Sequence, residues 1–222
     1  MNLRKPWAVG LLALAVVVYV SMWLGWSIPV ASVVAADNAT LAVTHQFGQA
    51  HPGWITSWDV LCTVFSPVTF RVLSLGLIVW ALMSGERRLA LFLVVSVELS
   101  AAVTELAKAM ANRPRPATAM VDASSTSFPS GHALGTMVAV LALLVVGLPL
   151  VRPTFRRWLI GAGVVVVLAV GVGRVMLNVH NPSDVVAGWA LGYVYFVMCL
   201  RLIPPVRVTE AAETPAMLGS AP

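Results

Sequence analysis

The chain has 222 residues, of which 59% are hydrophobic and 10% charged, with a net charge of +5 and a mean hydropathy of +0.89. Soluble domains carry roughly 25% charged residues, so soluble, disordered and disulfide-scaffold classes are excluded and a polytopic membrane protein is expected. The two cysteines, Cys62 and Cys199, lie far apart in apolar stretches and indicate neither a disulfide framework nor a thiolate metal site.

A helix needs about 20 mostly apolar residues to cross the hydrocarbon core. The first such run is predicted at 7–28, after Arg4 and Lys5. A cleaved signal peptide is the competing reading, with Val34-Ala35-Ala36 as cleavage site, but the apolar run exceeds the 7–15 residues of a signal core. Residues 29–58 read as a loop holding a short interfacial helix from Asp37 onward, with Trp54 and Trp58 at headgroup level. Further spans are predicted at 64–85, 89–107, 133–151, 158–177 and 185–203. Arg71 falls near the outer end of the second, and Glu98 and Glu105 fall within the third. Residues 1–205 thus read as one all-α, six-helix membrane domain, and 206–222 as a disordered cytoplasmic tail.

Six spans place Arg4, Lys5, Arg87, Arg88, Arg152, Arg156, Arg157, Arg201 and Arg207 on one side, nine of the 14 basic residues. The positive-inside rule makes that side, with both termini, cytoplasmic. Lys108, Arg113, Arg115 and Arg174 gather at the opposite face, against that trend. Most of the positive charge is juxtamembrane, so nucleic acid is not the expected partner.

Three segments meet at the outer face. The first runs from Lys108 to Pro116, the second is Pro129-Ser130-Gly131-His132, and the third runs from Gly173 to Asp184. Lys108, Arg115 and Arg174 offer three fixed charges for the oxygens of a phosphate. The prolines after Arg113 and Arg115 hold the backbone extended. Ser130 reads as an N-cap and Gly131 lets a ligand approach the start of a helix, together an anion cradle. Asn181-Pro182 opens the last helix, and Asp184 at its third position can reach back towards His180. His180 then suits a nucleophile oriented by Asp184, and His132 an acid/base from a second helix. Glu105, three residues before Lys108, is expected to pair with it as a counter-ion, and Arg71 is a conceivable partner of Glu98. Asp122 and the serines between Arg115 and Pro129 read as ordinary loop residues.

These segments resemble the signature of the type 2 phosphatidic acid phosphatases, or lipid phosphate phosphatases, related to the vanadium-dependent haloperoxidases: K-x6-R-P, P-S-G-H and S-R-x5-H-x3-D. The resemblance implies a six-helix bundle of bacterial inner-membrane type with an extracytoplasmic site. It also implies hydrolysis of a lipid phosphate or diphosphate through a phosphohistidine, without metal or other cofactor. Position by position it implies phosphate binding by Lys108, Arg115 and Arg174, a cradle at Ser130 and Gly131, and catalysis by His180, His132 and Asp184. Arg113 and Glu105 stand as auxiliary residues. Gly173 replaces the family's usual serine, Asn178 stands where glycine is common, and only the spacing from Lys108 selects Arg115 over Arg113. Polyprenyl diphosphate is the first-ranked substrate, ahead of phosphatidylglycerophosphate and phosphatidic acid, on resemblance alone. A phosphotransferase using the same first step is the alternative enzyme. A transporter is the alternative outside enzymes, but broken midplane helices and inverted repeats are not seen.

Overall fold

The computed structural model describes residues 6–205; the predicted tail and the charges at Arg4, Lys5 and Arg207 lie outside them. Apolar runs become helices because only a helix satisfies its own backbone hydrogen bonds in lipid. In chain order these are α1 (Pro6–Ser27), α2 (Ala31–Ala50), α3 (Pro52–Val64), α4 (Pro67–Met83), α5 (Arg87–Leu93), α6 (Ser100–Ala111), α7 (Gly131–Gly147), α8 (Pro153–Met176) and α9 (Pro182–Leu202). A π-helical stretch, Val94–Glu98, joins α5 to α6, and its wide turn leaves the Val95 carbonyl to the hydroxyl of Tyr195. Counting α3 with α4 and α5 with α6, six helical stretches among the described residues are long and apolar enough to cross a membrane. The protein is a multi-pass membrane bundle.

Two expectations change. The second span is preceded by a separate helix, because Pro67 cannot continue α3 and Ser66 caps α4, accepting from Thr69 N at 3.2 Å. Alone, α3 is too short to span, and it packs along α8 instead. The helix expected from Asp37 starts six residues earlier, at Ala31, and runs on to Ala50 with most of its side chains exposed. It buries Asp37, Leu41, Thr44 and Gly48, one stripe at helical spacing, against α8 and α9.

α7 is the axle of the bundle, packed between α9, α8, α4 and α6. Its contact with α9 is close because Gly188 and Gly192 sit four apart on the facing surface. A Cβ at Gly188 would lie 2.6 Å from the Ser130 carbonyl oxygen, and one at Gly192 2.8 Å from that of Leu134. Below these contacts Leu134, Val138, Phe92, Leu93, Val97 and Phe196 form the central core. Large apolar side chains on the outside of α1, α4 and α8, such as Val17, Val72, Leu75 and Val165, face the lipid. The polar groups are left to one end, where the α6–α7 loop, the start of α7 and the α8–α9 turn meet.

Candidate active site

Every residue predicted to bind phosphate or react lies at that end. Lys108, Arg115, Gly131, His132, Arg174 and His180 line one cavity of about 300 Å³ between α4, α6 and α7. Ser130 caps α7 beside it, its hydroxyl 3.4 Å from Ala133 N, while its own N–H donates to the Asp184 carbonyl at 2.9 Å. A Cβ at Gly131 would sit 3.0 Å from Thr104 and 3.8 Å from the Lys108 side chain, so glycine keeps this wall flush.

α9 opens as expected. Asn181 is the cap, Pro182 follows, and the Asp184 carboxylate reaches back to accept from Asn181 N at 2.8 Å and Asn181 Nδ2 at 3.1 Å. The same carboxylate accepts from the Ser127 hydroxyl and, on its other oxygen, from Arg113 at 2.6 Å. His180, 1% exposed, directs Nδ1 towards Asp184 at 3.7 Å, an ion-pair distance rather than the hydrogen bond the sequence suggested. Its Nε2 faces Arg115 at 3.2 Å. A guanidinium only donates, so Nε2 must carry the lone pair and Nδ1 the proton. Burial pushes the His180 imidazole down to about 4, outweighing the opposing pull of Asp184, so the ring is neutral near neutral pH.

Arg113 and Arg115 lie two apart in the irregular segment that follows α6. Both reach the α8–α9 turn, with different results. Arg115 lines the cavity, donating to the Val179 carbonyl at 2.7 Å and the Ser125 carbonyl at 2.6 Å. Burial and the nearby Arg174 lower its affinity for its proton from the ordinary arginine value. Arg113 is buried behind the turn, bonded to Asp184, to Ser183 Oγ at 2.8 Å and to Asp37 at 3.0 Å, with its guanidinium 4.9 Å from the ring centre of Trp26. The spacing from Lys108 thus separates a cavity-facing arginine from a buried one.

Lys108 turns away from Glu105, which is exposed and forms no ion pair with it; its ammonium donates to the Ser125 hydroxyl and to the Thr126 carbonyl at 3.0 Å. The counter-ion expectation for Glu105 is thereby replaced by neutral acceptors from the loop. Arg174 is buried, and its Nε has no protein partner. His132 is half-buried at the first turn of α7.

Four participants escaped the sequence. Ser125 bridges Lys108 and Arg115, and Ser127 bonds Asp184, although nothing in their spacing distinguishes them from other loop serines. Asp37, 3% exposed on α2, accepts from Ser183 N at 3.0 Å, Ser183 Oγ at 2.5 Å and Arg113. Thr44, two turns further along the same face of α2, donates to Asn178 Oδ1 at 2.5 Å, while Asn178 Nδ2 donates to Leu41 O at 2.9 Å and Thr118 Oγ1 at 3.0 Å. Asn178 has φ of 53°, a left-handed conformation that asparagine tolerates, so it meets the turn's demand and adds a tie to α2. Gly173 also has a physical reason: a Cβ there would lie 2.6 Å from Cys62 Sγ and 2.9 Å from Trp58 on α3. The space a serine would need is filled by α3.

The sequence model of the PAP2 superfamily matches residues 89–207, more than half of the chain. The chain belongs to the PAP2 superfamily. It is 31% identical over 113 residues to an undecaprenyl-diphosphatase of Sulfolobus acidocaldarius, covering 48% of this chain and 51% of that protein. It is 42% identical over 82 residues to a phosphatidylglycerophosphatase B of Bacillus subtilis, covering 36% and 40%. With a decaprenylphosphoryl-5-phosphoribose phosphatase of Mycobacterium tuberculosis it shares 37% over 97 residues, covering 41% and 48%. The chain spans about half the length of these curated relatives, or less. The fold is that of the first transmembrane PAP2-type phosphatidylglycerolphosphate phosphatase from Bacillus subtilis seen by crystallography. The TM-score is 0.67 at 24% identity, covering 90% of this chain and 98% of that one.

Proposed function

We propose that this PAP2 protein hydrolyses the phosphate or diphosphate headgroup of a membrane lipid at the extracytoplasmic face, through a phosphohistidine on His180. The observation that carries the reading is the His180 ring, with its Nε2 lone pair turned towards Arg115 in the cation-lined cavity and Nδ1 turned towards Asp184. In the first step Nε2 attacks phosphorus, the bond from phosphorus to the lipid oxygen breaks, and His132 protonates that oxygen. In the second, water attacks phosphorus, the P–N bond breaks, and His132 takes the proton from the water. Lys108, Arg115 and Arg174 hold the nonbridging oxygens and offset the charge that builds on them. Ser125 bridges two of these cations and helps hold them in line. Three side-chain cations do the charge neutralisation that metals perform in other phosphatases, which supports a metal-independent reaction.

The names of the relatives support a polyprenyl diphosphate or phosphatidylglycerophosphate as substrate. The test is release of inorganic phosphate by purified protein from a panel of lipid phosphates, with chelator present. His180→Ala should retain the fold and lose turnover. Substantial hydrolysis by that variant, or complete dependence on added metal, would overturn the mechanism. A phosphorylated acceptor in place of free phosphate would assign a phosphotransferase.

A further inference from the structure

A fourth cation, Arg71 on α4, lines the same cavity and has no part in the chemistry above. Its position sets it apart from the other three. Pro67, at the start of α4, packs on Gly135, four residues into α7, and Arg71 lies four residues further down α4. At 1.5 Å per residue these two steps place its Cα roughly 12 Å deeper than Gly131, and a helical side chain leans back towards its N-terminus, here towards the site. Arg71 therefore guards the end of the cavity that leads into the bundle, alongside Ser100 and Ala101 of α6.

Its pairing is loose. Arg71 Nε lies 3.7 Å from Glu98 Oε2, beyond hydrogen-bond length, and its side chain is 38% exposed. Both Arg71 Nε and Glu98 Oε1 are buried without a hydrogen-bond partner. Glu98 thus balances the charge of Arg71 without engaging its donors. An intramembrane cation held in this way, facing a cavity, is suited to receive another anion.

If His180 attacks from the turn above, the leaving oxygen and the lipid attached to it depart into the remainder of the cavity. An apolar tail must continue towards the hydrocarbon, so the group nearest Arg71 belongs to the leaving lipid. We infer that Arg71 binds a second phosphate carried by the leaving group, so that the substrate is a lipid bearing two phosphates rather than a simple monoester. This rests on the lipid phosphatase reading and narrows it. The second phosphate is either directly linked, as in a polyprenyl diphosphate, or joined through a glycerol, as in phosphatidylglycerophosphate.

The experiment compares kcat/KM for phosphate release from polyprenyl diphosphate, phosphatidylglycerophosphate and phosphatidic acid in identical micelles. The proteins are wild type, Arg71→Gln, Arg71→Lys and Glu98→Gln. In Arg71→Gln the preference for a two-phosphate lipid over phosphatidic acid should fall about ten- to hundredfold, the size of charged hydrogen bonds lost. Arg71→Lys should recover part of it, and Glu98→Gln should keep it. Loss confined to the diphosphate or to the glycerol-spaced lipid would support the subsite and give its spacing. Equal loss on all three lipids, no loss on any, or the same loss in Glu98→Gln would overturn it. Failure of wild type to release phosphate from any lipid would instead refute the function on which it rests.

Discussion

Arg113 provides the sharpest test of how the site is built, because sequence spacing alone sets it aside in favour of Arg115. Its guanidinium joins two buried carboxylates, Asp184 at 2.6 Å and Asp37 at 3.0 Å, whose side chains are 0% and 4% exposed. Arg113→Met fills a similar volume but strips both of their cation. Asp37 keeps its two bonds from Ser183, whereas one oxygen of Asp184 loses its donor. Removing one partner of a buried ion pair costs about 3–5 kcal/mol, because the charge left behind is neither solvated nor paired. A lowered melting temperature in detergent should report this. Asp184 is then no longer held in place against His180, and kcat should fall at least tenfold, equivalent to about 1.4 kcal/mol. Arg113 does not line the cavity, so KM should change little, in contrast to Arg115→Met, where it should rise. Phosphate-release kinetics with both variants separates the two effects. Wild-type stability and kcat in Arg113→Met, or a rise in KM matching that of Arg115→Met, would refute the assignment.

Other consequences are equally direct. Asn178→Gly keeps the left-handed turn but loses three hydrogen bonds to α2 and Thr118, and should cost about 1–3 kcal/mol. Asn178→Ala should cost about 1 kcal/mol more because of its positive φ; equal melting temperatures for the two would show that the turn carries no such demand. Restoring the family's serine with Gly173→Ser should destabilise by about 1–3 kcal/mol through overpacking on Cys62 and Trp58, and adding Cys62→Ala should return part of the loss in thermal denaturation. The buried His180 sets an acid limb: its lone pair is lost only when pH falls through about 4, so kcat/KM should hold across the ordinary histidine range near 6.5 on the acid side. An acid limb near 6.5 in the wild-type profile would contradict the burial argument.

Which parts of this were legible in the sequence follows from the range of the interactions concerned. Apolar length alone marks the spanning helices, because the lipid solvent imposes that length whatever the neighbours. The capping box at Asn181 and Asp184 was equally readable, since its partners lie three residues apart. Lys108, Arg115, Arg174, His132 and His180 stood out because charge is scarce in this chain and these residues fall at one face. The role of Asp37 was hidden: its partners are Arg113, 76 residues away, and Ser183, 146 away. Asp37 and Thr44 belong to the buried stripe of α2, yet polarity made that stripe look like a loop. The same holds for Ser125, Ser127 and the division of labour between two neighbouring arginines. A hydropathy pattern records what a residue would prefer in isolation. Only packing α2 onto the α8–α9 turn decides that a carboxylate is buried and paired, because its desolvation is offset by donors that the chain brings from two other segments.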